Sequence, residues 1–112
     1  MTEECDPSAA VHVVVLAPAG ELDVATAPLL RGLLDEAHRP RATVVLDLSD
    51  VGFLDSSALA VVLAAERRLR GAGGTLRLVH VGEPVMRVLR ICGLAERLVR
   101  QRPLLSPVPA LP

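Results

Sequence analysis

The chain reads as one α/β domain, with a mainly parallel sheet of four to five strands and helices packed on it. Three observations predict this. At 112 residues it is long enough for one buried core and too short for two. Short β-branched runs alternate with stretches of helical periodicity, in the order strand, helix, strand, helix, strand, helix. The connections are of the length that right-handed crossovers between parallel strands require.

The first clear strand is Val11 to Ala17 (VHVVVLA), stopped by Pro18 and Gly20 and expected to be mostly buried. His12 falls at its start. The segment before it, Cys5-Asp6-Pro7-Ser8, has room only for a short edge strand. Thr26 is a candidate N-cap with Pro28 in the first helical turn, and Leu30, Leu33, Leu34 and Ala37 recur at helical spacing until Pro40. Thr43 to Leu48 (TVVLDL) is a second buried strand. Ser49-Asp50-Val51-Gly52 is expected to turn, and Phe53-Leu54 to return to the interior.

The next helix runs from Ser57 to Arg70, with Leu59, Val62, Leu63 and Leu69 as its bulky core stripe and arginines in its last turn, where the dipole favours them. Gly71-Ala72-Gly73-Gly74 ends it, and Thr75 to Val81 is the third strand. Pro84 opens a helix in which Val85, Val88, Leu89 and Cys92 share a face, so Cys92 reads as a small core residue. Gly93 stops that helix, Leu94 folds back onto the core, and a last turn spans Ala95 to Arg100. Residues 1–10 form an N-terminal segment, 11–100 the domain, and 101–112 a tail whose four prolines oppose both helix and ladder.

Composition removes several functions. All twelve basic residues are Arg, set against thirteen acids, so the net charge is near zero and no basic tract tracks phosphates. Nucleic acid is not expected as a partner. One Phe, with no Trp or Tyr, means an aliphatic core and no stacking platform. Cys5 and Cys92 lack the spacing of a metal knuckle or a redox pair, so neither metal nor cofactor is expected. No apolar run approaches the roughly eighteen residues of a membrane span, and the acidic start is unlike a signal peptide. A cytoplasmic protein with no membrane partner is the expectation.

Two places can carry function. The first is Asp55-Ser56-Ser57, where a loop becomes a helix. Spare backbone N–H groups and the positive end of the dipole favour negative charge there, so a phosphate on Ser56 is tolerable without melting the helix. Taken alone, Asp55 or Ser56 is better read as the N-cap. Ser56, Ala60, Ala64 and Arg67 follow at steps of three or four, a smooth ridge on which a partner can dock, although Ala60 and Ala64 are also simply good helix formers. The second place is Gly20-Glu21-Leu22-Asp23. Leu22 points inward and two carboxylates outward, and right-handed crossovers can bring this loop beside Asp55-Ser56. Solvation or capping is the commoner fate of such acids.

The stretches GELDVATAPLL, VVLDLSDVGFLDSSALAVVLAAERRLRGAGGTLRLV and PVMRVLRICGLAERL, correctly ordered and spaced, resemble a STAS domain of the anti-sigma factor antagonist type over residues 11 to 100. That resemblance implies a single STAS-type domain acting as a partner switch. An anti-sigma factor that is itself a serine kinase would phosphorylate Ser56; the unphosphorylated antagonist would bind it and release the sigma factor, and a serine phosphatase would reset the switch. By the same resemblance Glu21, Asp23, Asp55 and Ser57 belong to the partner-facing surface, to which the ridge adds Ala60 and Ala64. One departure is Ala58, where the family usually has glycine; its methyl group either narrows kinase approach or favours the helix.

Two other readings are weighed against it. A non-phosphorylated STAS scaffold, or an accessory subunit of a signalling or transport complex, shares the fold. An enzyme with Ser56 as nucleophile is disfavoured, because the chain lacks a G-x-S-x-G elbow and His12, His38 and His80 fall in separate elements. Gly71-Ala72-Gly73-Gly74 ends a helix where a phosphate loop would open one.

Overall fold

A computed structural model describes residues 12–99. The expected edge strand near Cys5, the Pro-rich tail and Arg100 lie outside the described residues. In chain order the elements are β1 (His12–Leu16), β2 (Gly20–Leu22), α1 (Ala27–Ala37), β3 (Ala42–Asp47), β4 (Val51–Leu54), α2 (Ser56–Gly71), β5 (Thr75–Val79), α3 (Glu83–Ile91) and α4 (Ala95–Leu98).

All described strand pairing is parallel, as the α/β reading requires, but it is divided between two sheets. β1, β3 and β5 form one in the order β1-β3-β5, while β2 and β4 form a separate pair. β2 was expected as loop and β4 as a turn followed by an inward return. Both are too short for a periodic signal, and a parallel partner some thirty residues away leaves no local trace in sequence.

In the three-stranded sheet, Val44 and Leu46 lie beside Leu76 and Leu78 in register, all four buried. Val14 and Leu16 of β1 pack on this core, whereas Val13 and Val15 are exposed. The first strand therefore buries one face, not both. The reason is the period of two: the elements that cover the Val14 face do not cover the other.

α1 seats Ala27, Leu30, Leu34 and Ala37 in the core and packs on α2, while Leu33, expected in that stripe, is substantially exposed. α2 buries Ala58, Leu59, Val61, Val62, Ala65 and Leu69; Leu63 sits at the edge, only half-buried. Val85 and Leu89 anchor α3, but Cys92 is exposed, which overturns its reading as a core residue. Cys92 keeps helical backbone angles and its N–H bonds the Val88 carbonyl at 3.0 Å, so its direction is as expected; the end of the helix, with Ile91 79% exposed, runs past what covers Val85 and Leu89.

Two glycines make the stops. At Gly93 (φ 73°) the N–H of Leu94 bonds the carbonyl of Leu89 at 2.8 Å and that of Gly93 bonds Arg90 at 3.0 Å. At Gly73 (φ 82°) the same two bonds run from Gly74 to Leu69 and from Gly73 to Arg70. A left-handed residue after the helix satisfies its last carbonyls and turns the chain back, folding Leu94 onto the core.

Candidate functional site

The end of the molecule that matters is assembled by the β2–β4 pair and the start of α2. Leu22 aligns with Leu54, both buried, and the N–H of Asp55 donates to the Leu22 carbonyl at 3.0 Å. One hydrogen bond thus joins the Glu21-Leu22-Asp23 segment to Asp55-Ser56-Ser57. The juxtaposition expected from right-handed crossovers is realised.

Asp55 is the N-cap of α2: its Oδ1 accepts from the N–H of Ala58 at 3.0 Å. Ser56 is therefore the first helical residue, exposed, with its hydroxyl not engaged in capping. Ser57 is half-buried. Asp55 bonds the third N–H of the helix, which leaves those of Ser56 and Ser57 at the open, positive end. Along the same face Ala60, Ala64 and Arg67 are exposed, so the small-residue ridge faces solvent with Ser56 at its head.

Ala58 is wholly buried. Its methyl group packs in the core.

The two acids of the neighbouring loop differ. Glu21 is exposed. Asp23 turns its carboxylate onto the chain, where Oδ1 accepts from the N–H groups of Ala25 at 3.0 Å and Thr26 at 3.1 Å. Thr26 occupies the N-cap position of α1 but makes no capping bond; its hydroxyl donates to the Glu21 carbonyl at 2.9 Å and accepts from the Asp23 N–H at 2.9 Å. The loop is thus braced from within, and Glu21 is the acid it leaves exposed.

Phe53 was expected to return to the interior; it is 47% exposed. The register explains why. Gly20 aligns with Val51 and Glu21 with Phe53, so β4 carries one extra residue, a bulge at Gly52. Val51 and Leu54 are both buried although three residues apart, which strict alternation forbids. The bulge resolves the conflict and leaves Phe53 outside, beside Glu21. Val24, at the end of the adjoining loop, is 70% exposed. Neither residue was singled out by sequence reasoning, although the position of the chain's one aromatic beside the Asp-Ser-Ser segment was a usable signal.

Nothing here resembles a catalytic constellation. His80 pairs with Asp47 (Nδ1 to Oδ1, 3.2 Å) at the ends of β5 and β3. Asp47 is held below the ordinary carboxylate range chiefly by the Ser49 backbone N–H (2.9 Å), then by the Ser49 hydroxyl, with His80 adding to the effect. The stability it contributes is present above the ordinary carboxylate range and is lost as pH falls through its lowered pKa. This is the bracing of a turn. Among the described residues no three of His, Cys, Asp and Glu gather where a metal could be held, and no helix is long and apolar enough to cross a membrane.

Comparison with known proteins places these features. Residues 5–104 match the family model described as "Mlab, STAS domain". An anti-sigma F factor antagonist of Paenibacillus polymyxa is 36% identical over 84 residues, covering 73% of this chain and 72% of the relative. A putative anti-sigma factor antagonist from Thermotoga maritima superposes with a TM-score of 0.67 at 33% identity, over 78% of this chain and 75% of that one. The Bacillus cell fate determinant SpoIIAA in its phosphorylated form gives a TM-score of 0.58 at 26% identity, over 79% of this chain and 81% of that one.

Proposed function

Because this chain belongs to the STAS domain family, and its relatives are named anti-sigma factor antagonists, we propose that it is itself such an antagonist, switched at Ser56. Unphosphorylated, it binds an anti-sigma factor that is a serine kinase and so releases the sigma factor. The kinase transfers the terminal phosphoryl group of ATP to Ser56 Oγ, the hydroxyl proton leaves to a base of the kinase, and ADP is the second product. The modified antagonist lets go, and a serine phosphatase hydrolyses the phosphoester to restore it. The exchange takes place in the cytoplasm. The chain is substrate and ligand and catalyses nothing.

The observation that carries this reading is the division of labour at the start of α2. Asp55 caps the helix, so Ser56, one residue on and exposed, is spare for modification. A phosphate there brings about −1.5 to −2 charges to the head of the ridge while the open N–H groups and the dipole stabilise it, so binding changes with little change of fold. Glu21, Ser57, Ala60 and Ala64 form the surface whose contacts it alters, while Asp23 and Asp55 shape that surface from within.

The test is a capture from the protein's own cytoplasm with wild-type chain beside Ser56→Asp, followed by incubation of the captured kinase with ATP. A serine kinase held by wild type and not by Ser56→Asp is expected, as is transfer of one phosphate to wild type and to Ser57→Ala but not to Ser56→Ala. Equal phosphorylation of Ser56→Ala would move the site elsewhere. Finding no kinase, with no phosphate on protein isolated from cells, would replace the switch by the accessory-scaffold reading.

A further inference from the structure

We propose that Phe53 is the anchor by which this protein docks on the kinase that modifies Ser56, its ring entering an apolar pocket rimmed by basic side chains; the inference rests on the switch reading above.

Phe53 is the one aromatic residue in a chain whose core is otherwise aliphatic, and it is not used in that core. Rings are the largest apolar groups available for burial, and leaving one in water forgoes that gain. The β4 bulge is what holds it out. In an unbulged strand Phe53, two residues on from the buried Val51, would share its side. Bulges recur where a side chain is re-aimed for function, and this one stands three residues before the cap of the helix that begins with Ser56.

Position and charge then define the occupant. Ser56 lies three residue steps of nearly extended chain beyond Phe53, a span of about 10 Å, well inside one protein–protein contact. Glu21 stands in register with Phe53, Asp23 and Asp55 directly follow β2 and β4, and Asp50 directly precedes β4. Among the described residues no basic side chain pairs with any of these four acids. Of these acids Glu21 and Asp50 are exposed, and an apolar ring and an exposed Val24 beside them complement an apolar pocket with a basic rim. An exposed aromatic at the centre of a polar surround is also the composition of a binding hot spot. A kinase that must hold Ser56 at its ATP gains from such an anchor because the ring lies beside the acceptor and takes no part in the transfer.

The test uses the kinase identified by the capture experiment, with affinities measured by titration calorimetry and phosphorylation followed at steady state. Phe53→Ala should weaken binding at least about thirtyfold and raise KM for phosphorylation with little change in kcat. Phe53→Tyr should retain affinity, and equal thermal unfolding of the variants separates lost docking from lost folding. If Phe53→Ala binds within about threefold of wild type while Ser56→Asp has lost binding, the anchor is refuted and the switch stands. If Ser56→Asp binds as wild type does, the switch itself fails. A chain that dimerises through Phe53, with kinase affinity unchanged in Phe53→Ala, would assign the ring to self-association and overturn the inference.

Discussion

At its first turn α2 presents a hydroxyl to solvent beside an outward-facing ring, and among the described residues the acids around it pair with no basic side chain. Toward its other end, Glu66 is 8% exposed and accepts from Arg70 at 2.9 Å and from Arg97 of α4 at 3.1 Å. Beyond it Arg68 pairs with Asp35 of α1 at 2.6 Å, and Gly73 and Gly74 close the helix with backbone bonds. One helix thus has a closed end, where charge ties elements together, and an open end, where charge and apolar surface are left for something outside the chain. The difference teaches how the proposed switch would be accommodated. Anchoring near the closed end would let the open end gain a phosphate without loss of the fold.

That contrast can be broken by substitution. The largest effect on stability is expected at the closed end, where Glu66→Ala strands two arginines and leaves α4 without its polar tie. Both arginines are about half exposed, so the loss is about 1–2 kcal/mol, below that of a fully buried pair. Urea unfolding should show it, with affinity for the kinase unchanged. At the open end Asp55→Ala removes the cap and should cost about 1 kcal/mol, and Asp55→Ser should restore most of it. If Asp55→Ala proves more costly than Glu66→Ala, the assignment of the ends is wrong. The smallest effect is expected from Ala58→Gly, about 0.5–1 kcal/mol through helix propensity and a lost buried methyl group, with the rate of Ser56 phosphorylation unchanged. A faster rate would mean that this position does influence kinase approach.

Much of the open end was legible in the sequence. The helix start at Asp55-Ser56-Ser57, the inward Leu22 and the solvent ridge of Ser56, Ala60 and Ala64 follow from capping chemistry and the 3.6-residue period, and each lies where expected. Asp23 was expected to face outward but folds onto its own loop, because a carboxylate two and three residues before free N–H groups bonds them readily. Phe53 was misplaced because burial was inferred from residue type. The register shift that turns it outward arises between two strands separated in the chain by α1 and β3.

Length, composition and periodicity by themselves determined a parallel α/β domain, its helices and their glycine stops, and the serine at the head of α2, because these depend on chemistry acting within a few residues. Only the tertiary structure decided that the strands divide into two sheets, that Val13, Val15, Cys92 and Phe53 face out, and that Ala58 faces in. The face a side chain shows is set by what packs against its element from elsewhere. For Phe53 that is a partner strand whose bulge no local pattern records.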